Sequence, residues 1–143
     1  MSSISLVRLK FLIGVFLAAP MCVGITSFAQ QSGVRVVQKE AARRVDVSIQ
    51  GQPFTSYLWS EKLKVPVLYP LRTAKGTVVT RGFPLDPRPG ERVDHPHHIG
   101  LWLNYGNVNG VDFWNNSVSL PPEQQQKMGT VVHRRVARAR NGK

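Results

Sequence analysis

The sequence predicts an all-β protein built as an antiparallel β-sandwich. Three observations predict it: short β-branched or alternating runs recur along the chain, Gly, Pro and Asn cut them at close spacing, and no stretch between them holds a convincing amphipathic helix. Strands at this spacing, with turn signals between them, belong to sandwiches and barrels. No internal repeat is visible.

Residues 1–29 read as a secretory signal. Arg8 and Lys10 supply the positive start, an apolar run from Phe11 to about Ile25 follows, and Ser27 and Ala29 are the small residues of a cleavage site after Ala29. Pro20 interrupts the run, which falls short of the ~20 apolar residues of a spanning helix, and no second apolar span follows. The remaining chain, residues 30–143, is therefore expected to be exported, periplasmic or extracellular, without a transmembrane span. The one Cys, Cys22, lies in the leader. Thiol nucleophiles, disulfides and Cys-ligated zinc are thereby excluded from the exported part.

The strands expected along that part are residues 33–38, 44–50, 54–59, 65–69, 76–81, 99–105, 111–114 and 130–136. The run 44–50 alternates most cleanly, with Val45, Val47 and Ile49 on one side and Asp46, Ser48 and Gln50 on the other. Gly51-Gln52-Pro53 then turns the chain. Residues 123–128 are long enough for one or two helical turns. The formal net charge of +11 raises nucleic acid or an anionic membrane as partners. Its distribution argues otherwise: two basic residues lie in the leader and five in residues 134–143, and the rest carries twelve basic against eight acidic side chains. No aromatic residue is interleaved in the basic tail as stacking on bases requires, so nucleic acid is not an expected partner, and the tail reads as a solvated end.

Residues 82–96 differ in kind. Pro84, Pro87, Pro89 and Pro96 forbid both a helix and a central strand, and structureless segments of this length in compact domains are usually functional. The mixed charges of Asp86, Arg88, Glu91, Arg92 and Asp94 suit a loop held by ion pairs over a site.

The most informative segment, Asp94 to Trp114, reads DHPHHIGLWLNYGNVNGVDFW and holds three of the four histidines of the chain. If residues 99–105 form a strand, Ile99, Leu101, Leu103 and Tyr105 face the core, while His98, Gly100, Trp102 and Asn104 share the other face. Asn109-Gly110 is a strong turn signal, so residues 106–110 are expected to close a hairpin onto 111–114, bringing Asp112 and Trp114 beside Trp102 and Asn104.

Three functions fit these residues. In the first, a His and a carboxylate, from His97, His98, Asp112 and Asp94, move protons on a bound sugar. Arg81, Trp102, Asn104, Asn109 and Trp114 would bind that small-molecule or oligosaccharide ligand. In the second, His95 and His97 point the same way from an extended segment and hold a divalent transition metal with Asp94 or Asp112, as in a metal-dependent oxygenase or hydrolase. Their spacing is similar to the cupin His-x-His pattern, although residues 99–105 contain no acid. In the third, the histidines tie the proline-rich loop to the sheet in a non-catalytic module. No G-x-S-x-G elbow, H-E-x-x-H helix, P-loop or Rossmann glycine pattern is present.

The run from Tyr69 to Trp114 resembles a family of secreted bacterial proteins labelled methane oxygenase PmoA. The elements that carry the resemblance occur in order: Thr80-Arg81-Gly82-Phe83-Pro84, Asp94-His95-Pro96-His97-His98, Gly100-Leu101-Trp102 and Asn109-Gly110-Val111-Asp112-Phe113-Trp114. The resemblance implies an exported β-sandwich connected with carbohydrate metabolism, and a fold similar to the galactose-mutarotase supersandwich. It also implies that residues 30–143 are a truncated, N-terminal portion of a larger sandwich, since family members continue through a further β-rich region.

Overall fold

The structure, a computed structural model, describes residues 33–142, and the expected leader lies outside the described residues. The described chain is all-β, with antiparallel sheets and almost no helix. β1 (Val34–Lys39), β2 (Arg44–Ile49), β3 (Gln52–Leu58) and β4 (Val67–Leu68) form a four-stranded antiparallel sheet in sequence order. A 3-10 turn, Glu40–Ala42, joins β1 to β2. Gln50 and Gly51, both at positive φ, turn the chain into β3.

β5 (Asn107–Val108) and β6 (Val111–Asp112) form a separate hairpin. Asn109 and Gly110 have φ of 53° and 85°, the two left-handed positions that a tight two-residue hairpin turn requires. One short helix, α1 (Pro122–Gln125), falls where a turn or two was expected.

The alternation of β2 buries Val45, whereas Ile49 at its far end stays 40% exposed beyond a bulge at Val47/Ser48. The opposite face carries a polar cluster. Asp46 is ion-paired to Lys39 at 2.7 Å and accepts hydrogen bonds from Arg44 Nε at 2.6 Å and Ser56 Oγ at 2.7 Å. Burial opposes ionisation there, but the hydrogen bonds from Lys39, Ser56 and Arg44, with the Arg44 charge, outweigh it and hold the carboxyl at about 2.

The principal core is small and lies at the β4 edge, where Leu63, Val65, Val67, Tyr69 and Ile99 cluster with Leu58 and Trp102 packed against them. Val67 is completely buried, a burial that contributes roughly 1.5–3 kcal/mol.

Several expected strands take other forms. Residues 76–81 contribute one bridge, Val78 to Arg72, because the chain doubles back tightly through Thr73 and Gly76, whose hydrogen bonds close the turn within a few residues. Residues 99–105 also contribute one bridge, Leu101 to Leu68, because β4 is two residues long and offers no more edge. The core face expected there is not formed beyond Ile99: Leu101, Leu103 and Tyr105 are 51%, 90% and 72% exposed. Residues 107–108, expected as loop, are the strand that pairs with β6.

Residues 130–136 form no strand, although Val131 N–H donates to Lys64 O at 2.9 Å. The tail end is engaged rather than simply solvated: Gly142 bridges Val34, and Asn141 Oδ1 accepts from the Val36 N–H at 2.9 Å. These contacts cover part of the β1 edge, which otherwise presents open backbone groups.

Candidate functional site

The site is positioned from the core outward. Leu101 exchanges two backbone hydrogen bonds with Leu68, at 2.7 and 3.0 Å, which locks the segment after the histidines onto β4. Gly100 permits this approach: it has φ +55°, and a Cβ there would lie 2.5 Å from the Leu68 carbonyl oxygen. Trp102 follows, packed against the core on one side and ringed by His98 and Trp114 on the other, at centroid distances of 5.7 and 5.8 Å. Its indole Nε1 is buried and has no hydrogen-bond partner among the described residues.

Residues 82–96 are ordered by charge, as the composition implied. Glu91 accepts from the backbone N–H groups of Gly82, at 2.9 Å, and Phe83, at 3.1 Å, and pairs with Arg88 at 3.0 Å. The Gly82 N–H, more than any other partner, holds the Glu91 carboxyl below the usual carboxylate range. Arg88 in turn donates to Thr80 O. Arg81, expected to grip a ligand, donates to the backbone oxygens of Arg92 and Asp94, each at 2.7 Å, and so clamps the chain just before the histidines.

The histidine segment is a turn and not extended. His95 takes φ +48°, and the His98 N–H donates to His95 O at 2.9 Å. A non-glycine residue in this region is uncommon and collects at functional sites. The turn corrects the expected alignment of His95 with His97: the stacked pair is His95 and His98, 4.9 Å apart with planes at 19°, and His97 stands edge-on to both. Asp94 lies 3.2 Å from His95 Nδ1. Among the described residues no group of three or more His, Cys, Asp or Glu side chains is arranged to hold a metal ion.

The expected hairpin residues divide. Trp114 is 40% exposed and joins the cluster, with its ring 5.9 Å from His98 and 6.5 Å from His97. Asn104 Nδ2 donates to Phe113 O at 2.9 Å, tying Trp102's segment to the hairpin. Asp112 holds the turn before Trp114: it accepts from the Asn115 side chain and from the N–H groups of Asn115 and Trp114, and the Asn115 side chain above all holds its carboxyl below the usual range. Asn109 sits at the hairpin tip in the left-handed turn position.

The result is a partly open group of two indoles and three imidazoles edged by Asp94 and Asp112. His97 is pushed below the ordinary histidine range, chiefly by burial and then by the neighbouring His98 and His95, with Asp112 acting the other way. It is therefore a neutral imidazole near pH 7, able to accept or donate a proton.

Sequence reasoning missed a second aromatic group, in which Tyr57 and Trp59 of the β3 side meet His133. The i, i+2 spacing of Tyr57 and Trp59 was its one local signal.

Residues 44–143 match a family model described as a family of unknown function (DUF6807). The chain belongs to that family. The matched span holds every candidate site residue together with β2 to β6, so the cluster is a feature of a DUF6807 domain. No curated protein and no solved structure matches the chain. Among the described residues, no helix is long and apolar enough to cross a membrane.

Proposed function

We propose that this DUF6807 protein is exported and binds or processes carbohydrate at the Trp102–Trp114 cluster. The observation that carries the reading is the pair of tilted indoles with imidazoles on their open side. Aromatic faces cover the apolar C–H faces of a sugar ring, and the ring hydroxyls pair with nearby donors and acceptors. His97, neutral and within electrostatic reach of Asp112, is the acid/base of a processing reaction. His98 and the Asp94–His95 pair supply hydroxyl contacts. The resemblance to the secreted PmoA-labelled family, with its carbohydrate connection and its mutarotase-like sandwich, supports the same reading.

Titrating the protein with a panel of mono- and oligosaccharides while following tryptophan fluorescence tests it. A saturable change that is lost in Trp114→Ala supports the proposal. A broad panel without response overturns it.

A further inference from the structure

We propose that the cleft beside Trp59 and His133 is a second binding site, for a small organic carboxylate with a flat apolar body. It shares no residue with the histidine–tryptophan cluster and does not depend on the carbohydrate reading.

The cleft encloses about 400 Å³, within the range of small-molecule sites. Buried Leu63 and Val65 line its apolar part. Its aromatic wall is the stack of Trp59 on His133, with centroids 4.2 Å apart and planes at 23°. A flat apolar body matches these surfaces.

The polar half of the argument starts at His133. The Tyr57 hydroxyl lies 3.2 Å from His133 Nδ1. Burial pushes the Tyr57 phenol up, so it keeps its proton, and a phenol is a better donor than acceptor. With the Tyr57 hydroxyl as donor to Nδ1, the ring hydrogen lies on Nε2. That atom is buried with no partner among the described residues. A buried N–H without an acceptor is costly, and because His133 is a wall of the cleft, a ligand oxygen that reaches this edge of the ring answers it.

The local donors select which oxygen. Arg43 and Arg134 line the cleft with Glu40 and Glu61, so its charges balance overall. Glu61 is paired with Arg43 at 2.5 Å, while Glu40 accepts from the uncharged Gln38 Nε2 at 2.7 Å and keeps its charge. Arg134 has no ion pair of its own among the described residues. A guanidinium and an N–H donor on two adjacent lining residues fit a planar carboxylate better than a neutral amide.

The test uses benzoate as the probe and benzamide as its neutral counterpart, in a ¹H–¹⁵N titration of the whole chain. The expected result is a saturable shift of the Trp59 indole and His133 imidazole signals by benzoate, with those of Trp102 and Trp114 unmoved and benzamide weaker by about tenfold. Arg134→Gln, at an exposed position, lowers benzoate affinity while the remaining spectrum is unchanged. Benzoate that moves neither Trp59 nor His133 overturns the proposal, as does benzamide that binds equally well.

Discussion

The Trp114 backbone N–H donates to Asp112 Oδ1 at 2.8 Å, so the carboxylate sets the direction of the exposed indole. With Asn115 N–H and Nδ2 also bound to it, Asp112 has both oxygens engaged in the turn. On the proposed reading its part in the site is to position Trp114.

Asp112→Ala is therefore expected to weaken sugar binding by about tenfold, the order of one well-placed aromatic contact, while far-ultraviolet circular dichroism stays unchanged. Asp112→Asn keeps an acceptor oxygen at the same place and should recover most of the affinity. Equal losses in both variants, measured by fluorescence titration, would count against the positioning role.

His97 gives a pH prediction. Its folded-state value lies below the ordinary 6.5, with burial the first cause and the charges of His98 and His95 next. For a depressed group, the stability contributed by the neutral ring is present above the unfolded value and is lost as pH falls through the folded one. Stability should thus decline below about pH 6.5. Histidine NMR should show His97 titrating lower than a free imidazole. His98→Gln removes a like charge and should raise its value, whereas Asp112→Asn removes an attractive one and should lower it further. An unshifted His97 in the parent protein would sink the account.

Gly100 is the hinge between core and site. Its φ of +55° and the 2.5 Å approach of a built Cβ to the Leu68 carbonyl oxygen leave no room for a side chain. Gly100→Ala combines the left-handed penalty of ~1 kcal/mol with a backbone clash, and a total loss of roughly 2–3 kcal/mol is expected. Urea denaturation measures it. A loss below about half a kcal/mol would mean that the Leu68–Leu101 bridge is dispensable.

What was legible in the sequence was local. The alternation of Val45, Val47 and Ile49 and the Asn109-Gly110 turn express preferences of a few adjacent residues, and both elements are formed. The pairing of Trp102 with Trp114 was legible as well, because the hairpin signal lies between them in the chain. Residues 99–105 carry an equally regular pattern, yet whether a strand extends depends on its partner, and β4 offers two residues. The roles of Arg81 and Asp112 depend on which backbone oxygens and N–H groups the folded loops present, which residue type alone does not specify. The stack of Trp59 on His133 joins distant segments with no motif between them.

The polar face of the sheet yields the last prediction, an acid-labile term separate from the site. Asp46 has a folded value of about 2 against an ordinary 3.8, because Lys39, Ser56 and Arg44 favour the carboxylate more than burial disfavours it. The sign follows from proton binding: between these two values the unfolded chain holds the proton more tightly, so protonation pulls the equilibrium toward unfolding. The contribution is complete above about pH 4 and is lost as pH falls toward about 2. A shift of this size is worth at most about 2 kcal/mol, and solvent screening of a side chain 24% exposed brings it nearer to 1. Asp46→Asn should therefore destabilise the protein by about 1–2 kcal/mol at pH 7, with the difference from the parent vanishing near pH 2. Denaturation of both proteins across pH 2–7 measures this, and a difference that persists undiminished at the acid end would locate the effect in packing rather than in charge.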